Sequence, residues 1–490
     1  MKNLNKVKEY LFGNQTNILH LLVLALLSIF AGNLILSYDL IEVIIILAGL
    51  CLAIVTFLKP QIGLLTIIAI ISSIIFEEAL PLIPIGIGSF HITDIILLFL
   101  LCMILFKLIT DKNFPLVKTS IDLPLSLFYF TAMLSAFISI FYYKTDFNIV
   151  MRLFRHLTYY LIYFVITNLI QDKKEVKIFI KLLFTIAIIV AIVMIIQALV
   201  GETVQLMPGR VEALRTLEKE YSVTRILPPG QDWIYASFIT AICMVIFTNK
   251  SLIESIYFYI LIILGIGLLL TYNRNYWAAI LISLGTFTIL IPKRNKKRFL
   301  SSFLLIVILA LIVTSVFFVF GGKPKEFIVS VSDRAVSLFA GKKIFKSSSL
   351  EWRKIENEYA MQHISKNPFF GIGLGNNYRP ENIWQDGTAF YIHNGYLWIM
   401  LNMGLTGLLI YLWLYFCFLI DAFKYWKKIK DDFLKSAIIG FMLSGIGILF
   451  TSFVNPMFMK WYSIVVIATM MGLSEAIIKI NKKEIVALNE

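Results

Sequence analysis

The sequence predicts an all-α, polytopic membrane protein of about fourteen transmembrane helices, with a large external loop between the eleventh and twelfth. Three observations predict it. Hydrophobic residues make up 59% of the 490 and charged residues only 15%, a balance far from that of a soluble domain. Mean hydropathy is +0.84. Apolar runs of the length a helix needs to cross a hydrocarbon layer, about 20 residues for about 30 Å, recur along almost the whole chain.

Taken in order, the runs lie near 17–36, 40–58, 61–77, 93–110, 122–142, 150–170, 176–200, 231–248, 252–271, 275–291, 299–320, 391–420, 436–454 and 461–480. The first follows Lys2, Lys6 and Lys8 and reads as a signal anchor, because no small-x-small cleavage site follows it. The chain then divides into helices one to seven (1–200), an external loop (201–230), helices eight to eleven (231–320), the large external loop (321–390) and the last three helices (391–490). Cys51, Cys102, Cys243 and Cys417 all fall inside apolar runs without a CxxC spacing, which suits core packing and neither disulfides nor a metal. No solenoid repeat or low-complexity tract is present.

Orientation follows from loop charge. With the N-terminus inside, the short loops "QDKKEVK", "PKRNKKR", "KYWKKIK" and the terminal "INKKE" are all cytoplasmic and basic, whereas "EEALPLIPIGIGSFH" carries no cation and "NPMFMK" one. Both termini are then cytoplasmic. The two basic residue types are also sorted: nine of the eleven arginines lie outside or at outer helix ends, against ten of the thirty-three lysines. Topology is satisfied by either residue, but only the planar guanidinium grips phosphate or carboxylate in a bidentate way. The outer arginines therefore point to anion recognition. The net charge of +14 is otherwise cytoplasmic anchoring to anionic membrane lipid, and no nucleic-acid partner is implied.

Arg274, in "LLLTYNRNYWAAILI", sits in a short turn between two apolar runs, at the depth of a lipid-linked phosphate. The structural alternative is an interfacial arginine that snorkels. Arg225 stands where the first external loop returns to the membrane in "TRILPPGQDWIYASF". Ahead of it, Val211, Leu214 and Leu217 are spaced for an amphipathic helix lying on the interface, with Arg210 and Arg215 solvated. Arg152 and Arg155, near the outer end of the sixth run, are second-tier candidates.

In the large loop, Trp352, Ile355, Tyr359, Met361 and His363 predict a short amphipathic helix stopped by Asn367 and Pro368. Gly371, Gly373 and Gly375 follow. No strand precedes them, so a nucleotide loop is rejected, and they serve sharp turns or close backbone approach to a ligand. The run 391–420 is longer than the membrane is thick. Counting back from Asp421 puts His393 about 12 Å beyond the outer hydrocarbon edge. As one helix, it would set His393, Leu397, Met400 and Gly404 on one face, with Gly404 and Gly407 leaving a smooth patch for a neighbouring helix.

"HNGYLWIMLNMGLTG" (393–407) fits the H-[NSQ]-x9-G-x2-G pattern of the O-antigen ligase and O-antigen polymerase superfamily. "LTYNRNYWAAILISL" resembles that family's arginine-bearing turn, "TRILPPGQDWIYASF" its earlier arginine, and "NPFFGIGLGNN" its glycine-rich loop, in the same order over roughly 220–460. Two positions depart: Asn-Arg-Asn stands where many relatives have Ser-Arg, and Asn367 where a histidine is common. The resemblance implies a GT-C-like membrane glycosyltransferase without metal or other cofactor, active on the outer face of the bacterial cytoplasmic membrane. Its donor is an undecaprenyl-diphosphate-linked glycan, and its acceptor a lipid-linked repeat unit or lipid A core.

In that reading His393 is the base, and Arg225 and Arg274 stabilise the diphosphate with Arg353 and Arg155. Asn394, Gly404, Gly407, Gly373 and Gly375 support them. The external segments carry no Asp-x-Asp, which suits a metal-free site. A repeat-unit polymerase is preferred over a ligase on the AT-rich residue usage, with a flippase and a chain-length regulator as candidate partners. The reading from a different class is a transporter of a small anion. Transporters place charges and broken helices at mid-membrane, often in duplicated halves. Here the halves differ and charges avoid the span centres.

Overall fold

The computed structural model describes residues 40–72, 74–75, 80, 82–85, 88–112, 114, 116–215, 220–248, 251, 254–302, 304, 322–337, 348–380 and 389–489. They fall in two compact units, 1–63 and 64–490. The first holds α1 (Leu40–Leu58), and α2 (Pro60–Ile71) begins in it. The second is almost wholly helical. It comprises a small hairpin of β1 (Ile83–Ile85) and β2 (Gly88–Phe90), then α3 (Ile92–Thr110), α4 (Asp122–Phe137), α5 (Phe147–Thr158), α6 (Ile162–Leu169) and α7 (Lys173–Val200). A second hairpin, β3 (Arg210–Arg215) and β4 (Glu220–Leu227), precedes α8 (Gln231–Phe247), α9 (Ile256–Leu270) and α10 (Arg274–Leu290). A helical stretch at 293–302 comes next, then α11 (Gly322–Ser337), α12 (Ser348–Lys366), α13 (Gly395–Tyr425), α14 (Asp432–Thr451) and α15 (Trp461–Asn489).

Among the described residues seven helical segments are long and apolar enough to cross a membrane: 92–110, 122–142, 147–169, 173–200, 395–428, 432–451 and 461–484. The chain is a multi-pass membrane protein. The expected run at 17–36 lies outside the described residues, as does nearly all of 299–320. The last helix is the axis of the bundle, with 94% of its apolar window enclosed by protein. The peripheral helices instead turn large apolar side chains outward, such as Leu98, Leu105 and Ile109 on α3 and Leu409, Phe416 and Ile420 on α13. Such belts are stable only against lipid.

Two expectations need correction. The stretch 210–217 is not an interfacial helix: Arg210–Arg215 is a strand paired antiparallel with Glu220–Leu227. β-branched Val223, Thr224 and Ile226 favour extended backbone. Gly209, at φ +109°, lets the strand begin against the carbonyl of Leu227. The run at 391–420 is also not one straight helix from His393. The helix starts at Gly395, capped by the Asn394 side chain accepting from the N–H groups of Tyr396 and Leu397, so His393 precedes the cap. It then breaks at Gly404, at φ +69°.

The break explains the glycine pattern. A Cβ on Gly404 would collide with the backbone of Phe369, so the patch there receives a loop and not a neighbouring helix; Gly407 faces Met403 of its own helix. Gly371, Gly373 and Gly375 all have positive φ, and the turn they build is stitched to the broken helix by Ile372 N–H to Leu401 O (2.8 Å) and Gly373 N–H to Asn402 O (3.2 Å). On the other side Ser139, in a π-helical turn at Ile138–Tyr142, donates to Leu374 O, and Ser135 donates to Asn402 O. The close approaches are to the protein itself: to backbone at Gly371, to Ser135 and Ser139 at Gly373 and to the Ile149 side chain at Gly375.

Candidate functional site

His393 is held by α12. Its backbone N–H donates to Glu356 Oε2 at 3.0 Å, and its Nδ1 lies 2.8 Å from the same oxygen. Glu356 is only 1% exposed while the imidazole is 32% exposed, so the carboxylate is buried behind a ring that reaches the surface. With Nδ1–H donated to the carboxylate, Nε2 carries the lone pair. Tyr391 stands edge-on to the ring, centroids 5.0 Å apart. Burial and the Glu356 charge push the Tyr391 phenol well above its usual value, so it stays a neutral hydrogen-bonding group.

Arg353 lies one turn before Glu356 on α12, and its Nε donates to Val454 O at 3.1 Å. Burial, opposed by Glu356, pulls its pKa below the usual arginine value, and Arg274 pulls it the same way. Arg274 also acts on Arg225, whose pKa burial lowers against the pull of Glu212. Arg274 is thus within electrostatic reach of both other guanidinium groups. Like charges brought together at partly buried sites are costly unless an anion joins them.

Local structure fixes each of the three. Glu212 sits directly opposite Arg225 in the β3–β4 register and accepts from it at 3.2 Å, while Arg225 Nε donates to Thr271 O at 3.2 Å. That bond ties the strand to the turn ahead of Arg274. In that turn Tyr272 has φ 47°, a strained value for a side-chain-bearing residue. It is held there by packing with Leu214, Val223, Phe327, Val329 and Val331 and by Ser330 Oγ, which donates to its hydroxyl at 3.2 Å. Asn273 then caps α10, and Arg274 is the first residue of that helix.

Three further residues, which the sequence reading passed over, complete the surroundings. Asp232, buried near the start of α8, accepts from the hydroxyls of Tyr276 on α10 and Ser463 on α15, so it latches three helix starts together. Lys460 donates to Asn455 Oδ1 at 2.6 Å; burial pulls its pKa down to about 8, with Asp232 opposing and Arg353 assisting. Glu356 is the third, and a signal for it existed: Arg353 and Glu356 are three apart on an expected helix and so share a face. Nothing in the sequence singles out Asp232 or Lys460, whose roles come from helix packing.

Arg155 is engaged elsewhere, paired with Asp94 at 2.7 Å and donating to the Tyr159 hydroxyl. Arg152 and Arg210 are exposed. The side chain of Arg215 lies outside the described residues.

Fold and side chains define a class: a multi-pass helical membrane protein that carries a carboxylate-bound imidazole, with Arg353 one helical turn from that carboxylate and Arg274 within electrostatic reach of Arg353. Residues 259–412 match the family model described as O-antigen ligase, and over this segment the chain is similar to that family. The matched segment contains Arg274, Arg353, Glu356 and His393 but neither Arg225 nor Arg155. No curated protein matches the chain.

Proposed function

We propose that this chain is a GT-C-type glycosyltransferase that moves an undecaprenyl-diphosphate-linked oligosaccharide onto a sugar hydroxyl at the outer face of the bacterial cytoplasmic membrane. Both termini are cytoplasmic. The most specific form of the reading is a repeat-unit polymerase for a surface polysaccharide, served by a flippase and a chain-length regulator. The observation that carries the enzymatic reading is the His393–Glu356 contact one helical turn from Arg353, with Arg274 in reach of Arg353.

The chemistry follows from that contact. The acceptor hydroxyl attacks the anomeric carbon, its proton passes to His393 Nε2, and the bond from that carbon to the diphosphate oxygen breaks, the electron pair leaving with the diphosphate. Glu356 holds the imidazole in the required tautomer and stabilises the imidazolium that forms. Arg274, Arg353 and Arg225 take up the negative charge that grows on the leaving group, as fixed groups that need no reorganisation. Guanidinium pairs suit a diphosphate because each grips two oxygens at once, and in this mechanism they do the work a divalent cation does elsewhere.

The second reading is a ligase that transfers the glycan to lipid A core, favoured by the description of the matched family. Purified full-length protein supplied with lipid-diphosphate-linked repeat units separates the two. A ladder without lipid A supports the polymerase, product only with lipid A core supports the ligase, and neither product under either condition sinks the enzymatic reading and reopens anion transport.

A further inference from the structure

Arg294 and Arg298 are the two arginines that the loop-charge pattern leaves on the cytoplasmic side, and both line one cavity of about 500 Å3. Three helices fix its place. α8, α10 and α13 begin beside Asp232, at Arg274 and just after His393; at or just beyond their other ends Phe247, Pro292 and Trp426 line this cavity. Seventeen residues of helix in α8 and in α10 span about 25 Å, so the cavity opens near the opposite membrane surface from the imidazole.

Lys427 and Lys435 add two ammonium groups to the lining and Asp432 one carboxylate, a clear excess of positive charge. Arg298 is oriented by donation from Nη1 to Thr248 O. The independent observation is Trp426. Its side chain is 1% exposed, it lines the cavity, and its Nε1–H finds no acceptor among the described residues. An indole N–H can only donate, and leaving it buried and unmet is costly. Lys427 Nζ stands 5.4 Å from the centre of the same ring. Loop-charge asymmetry accounts for cations at this end, but lysine alone would satisfy it. It explains neither the choice of arginine at two positions, nor the concavity, nor the buried donor.

We propose that this cavity binds a phosphate-bearing anion, with an anionic phospholipid headgroup as its source in the membrane. The guanidinium groups of Arg294 and Arg298 grip the phosphate oxygens, Lys427 and Lys435 neutralise it, and Trp426 Nε1 donates to it. The site is separate from the proposed glycosyl-transfer site, so its test needs no glycan.

The test is native mass spectrometry of the full-length protein in neutral detergent, titrated with phosphatidylglycerol, phosphatidylcholine or inorganic phosphate. Wild type should retain phosphatidylglycerol about tenfold more tightly than phosphatidylcholine, as charge-assisted contacts require. R294Q/R298Q should abolish the difference, and W426F, which keeps the ring and deletes the N–H, should reduce it severalfold. Inorganic phosphate that binds with the same dependence on these variants supports the site with free phosphate as its source. Should the double variant not fold because Arg298 holds Thr248, R294Q and W426F carry the test. Equal retention of the two lipids by wild type with no phosphate binding, or unchanged retention in folded R294Q and W426F, overturns the proposal.

Discussion

The two ends of the bundle gather cations in different company. At one end Arg274 acts on both Arg225 and Arg353, and Arg353 stands one helical turn from a buried carboxylate that holds an imidazole. At the other, Arg294, Arg298, Lys427 and Lys435 line a cavity with a buried indole and without a histidine. Both are proposed to hold a phosphate. Only the first places a proton acceptor beside the charge, and that is what separates a site able to transfer a group from a site able to bind one. Variants at the first end should therefore change turnover, and variants at the second should change retention.

His393→Ala is the sharpest way to break this contrast. Turnover should fall about 10²–10⁴-fold, the usual worth of a positioned general base. Donor binding, which rests on the arginines, should stay within a few-fold, as measured by retention of the lipid-diphosphate donor on immobilised protein. Wild-type ladder formation in the alanine variant would remove the base from the mechanism. Arg274→Ala comes next, with an expected loss of about 10²–10³-fold in turnover, as for removal of one preorganised donor to a growing negative charge. Arg274→Lys should recover little of it, since an ammonium is a point charge without the forked geometry. Full recovery by lysine would mean that charge alone matters there, making the two ends more alike than proposed.

Glu356→Gln isolates orientation from proton transfer. The amide keeps the shape of the side chain but lacks the charge that steadies an imidazolium and fixes its tautomer. A loss of at least about 10–100-fold is expected, the scale found for carboxylates that orient metal-bound imidazoles, rising toward about 10⁴-fold if the tautomer is lost. It should fall on kcat with the donor KM unchanged. A loss confined to KM would show that Glu356 shapes the donor site instead of the base.

The same contrast shows which features the sequence could disclose. The histidine, its cap and the arginine turn were legible because each depends on a few neighbours in the chain: Asn394 caps the helix that follows His393, and Asn273 does the same for Arg274. The hairpin was misread because Val211, Leu214 and Leu217 satisfy a helical period while the deciding information lies in the partner strand, at Val223 to Leu227. Position 404 was misread for a related reason. A glycine within an apolar run looks like a packing surface, and only the arrival of Phe369, 35 residues upstream, turns it into a break. Asp232 and Lys460 were missed altogether, since their meeting depends on three helix starts packing together.

That break offers a test of stability. Gly404→Ala places a side chain at φ +69° and against the Phe369 carbonyl, and should cost about 1–3 kcal/mol from the backbone conformation alone. The control is Gly285→Ala inside α10, where a Cβ meets nothing within 4 Å. That change should leave stability equal or raise it by about 0.5–1 kcal/mol. Thermal unfolding of the two variants in the same detergent compares them directly. A Gly404 variant as stable as wild type would show that the glycine-rich turn is not clamped to α13 as described.

The smallest expected effect concerns Lys460, which in the proposed mechanism adds charge near Arg353 without supplying the base. Its pKa near 8 lies below the usual lysine value of 10.5, burial being the main cause. Two opposite pH trends follow. In the folded protein the ammonium loses its proton as pH rises through about 8, so retention of the diphosphate donor should weaken by a few-fold between pH 7 and 9. In the unfolded chain the same group stays protonated up to its usual value, so the unfolded state binds more protons across the window from about 8 to 10.5 and this group's contribution to stability rises with pH there. Lys460→Arg should flatten the alkaline fall in donor retention, because an arginine keeps its charge throughout this range. An alkaline limb that persists unchanged in the arginine variant would assign the pH dependence to another group and leave Lys460 as a packing residue between Asp232 and Arg353.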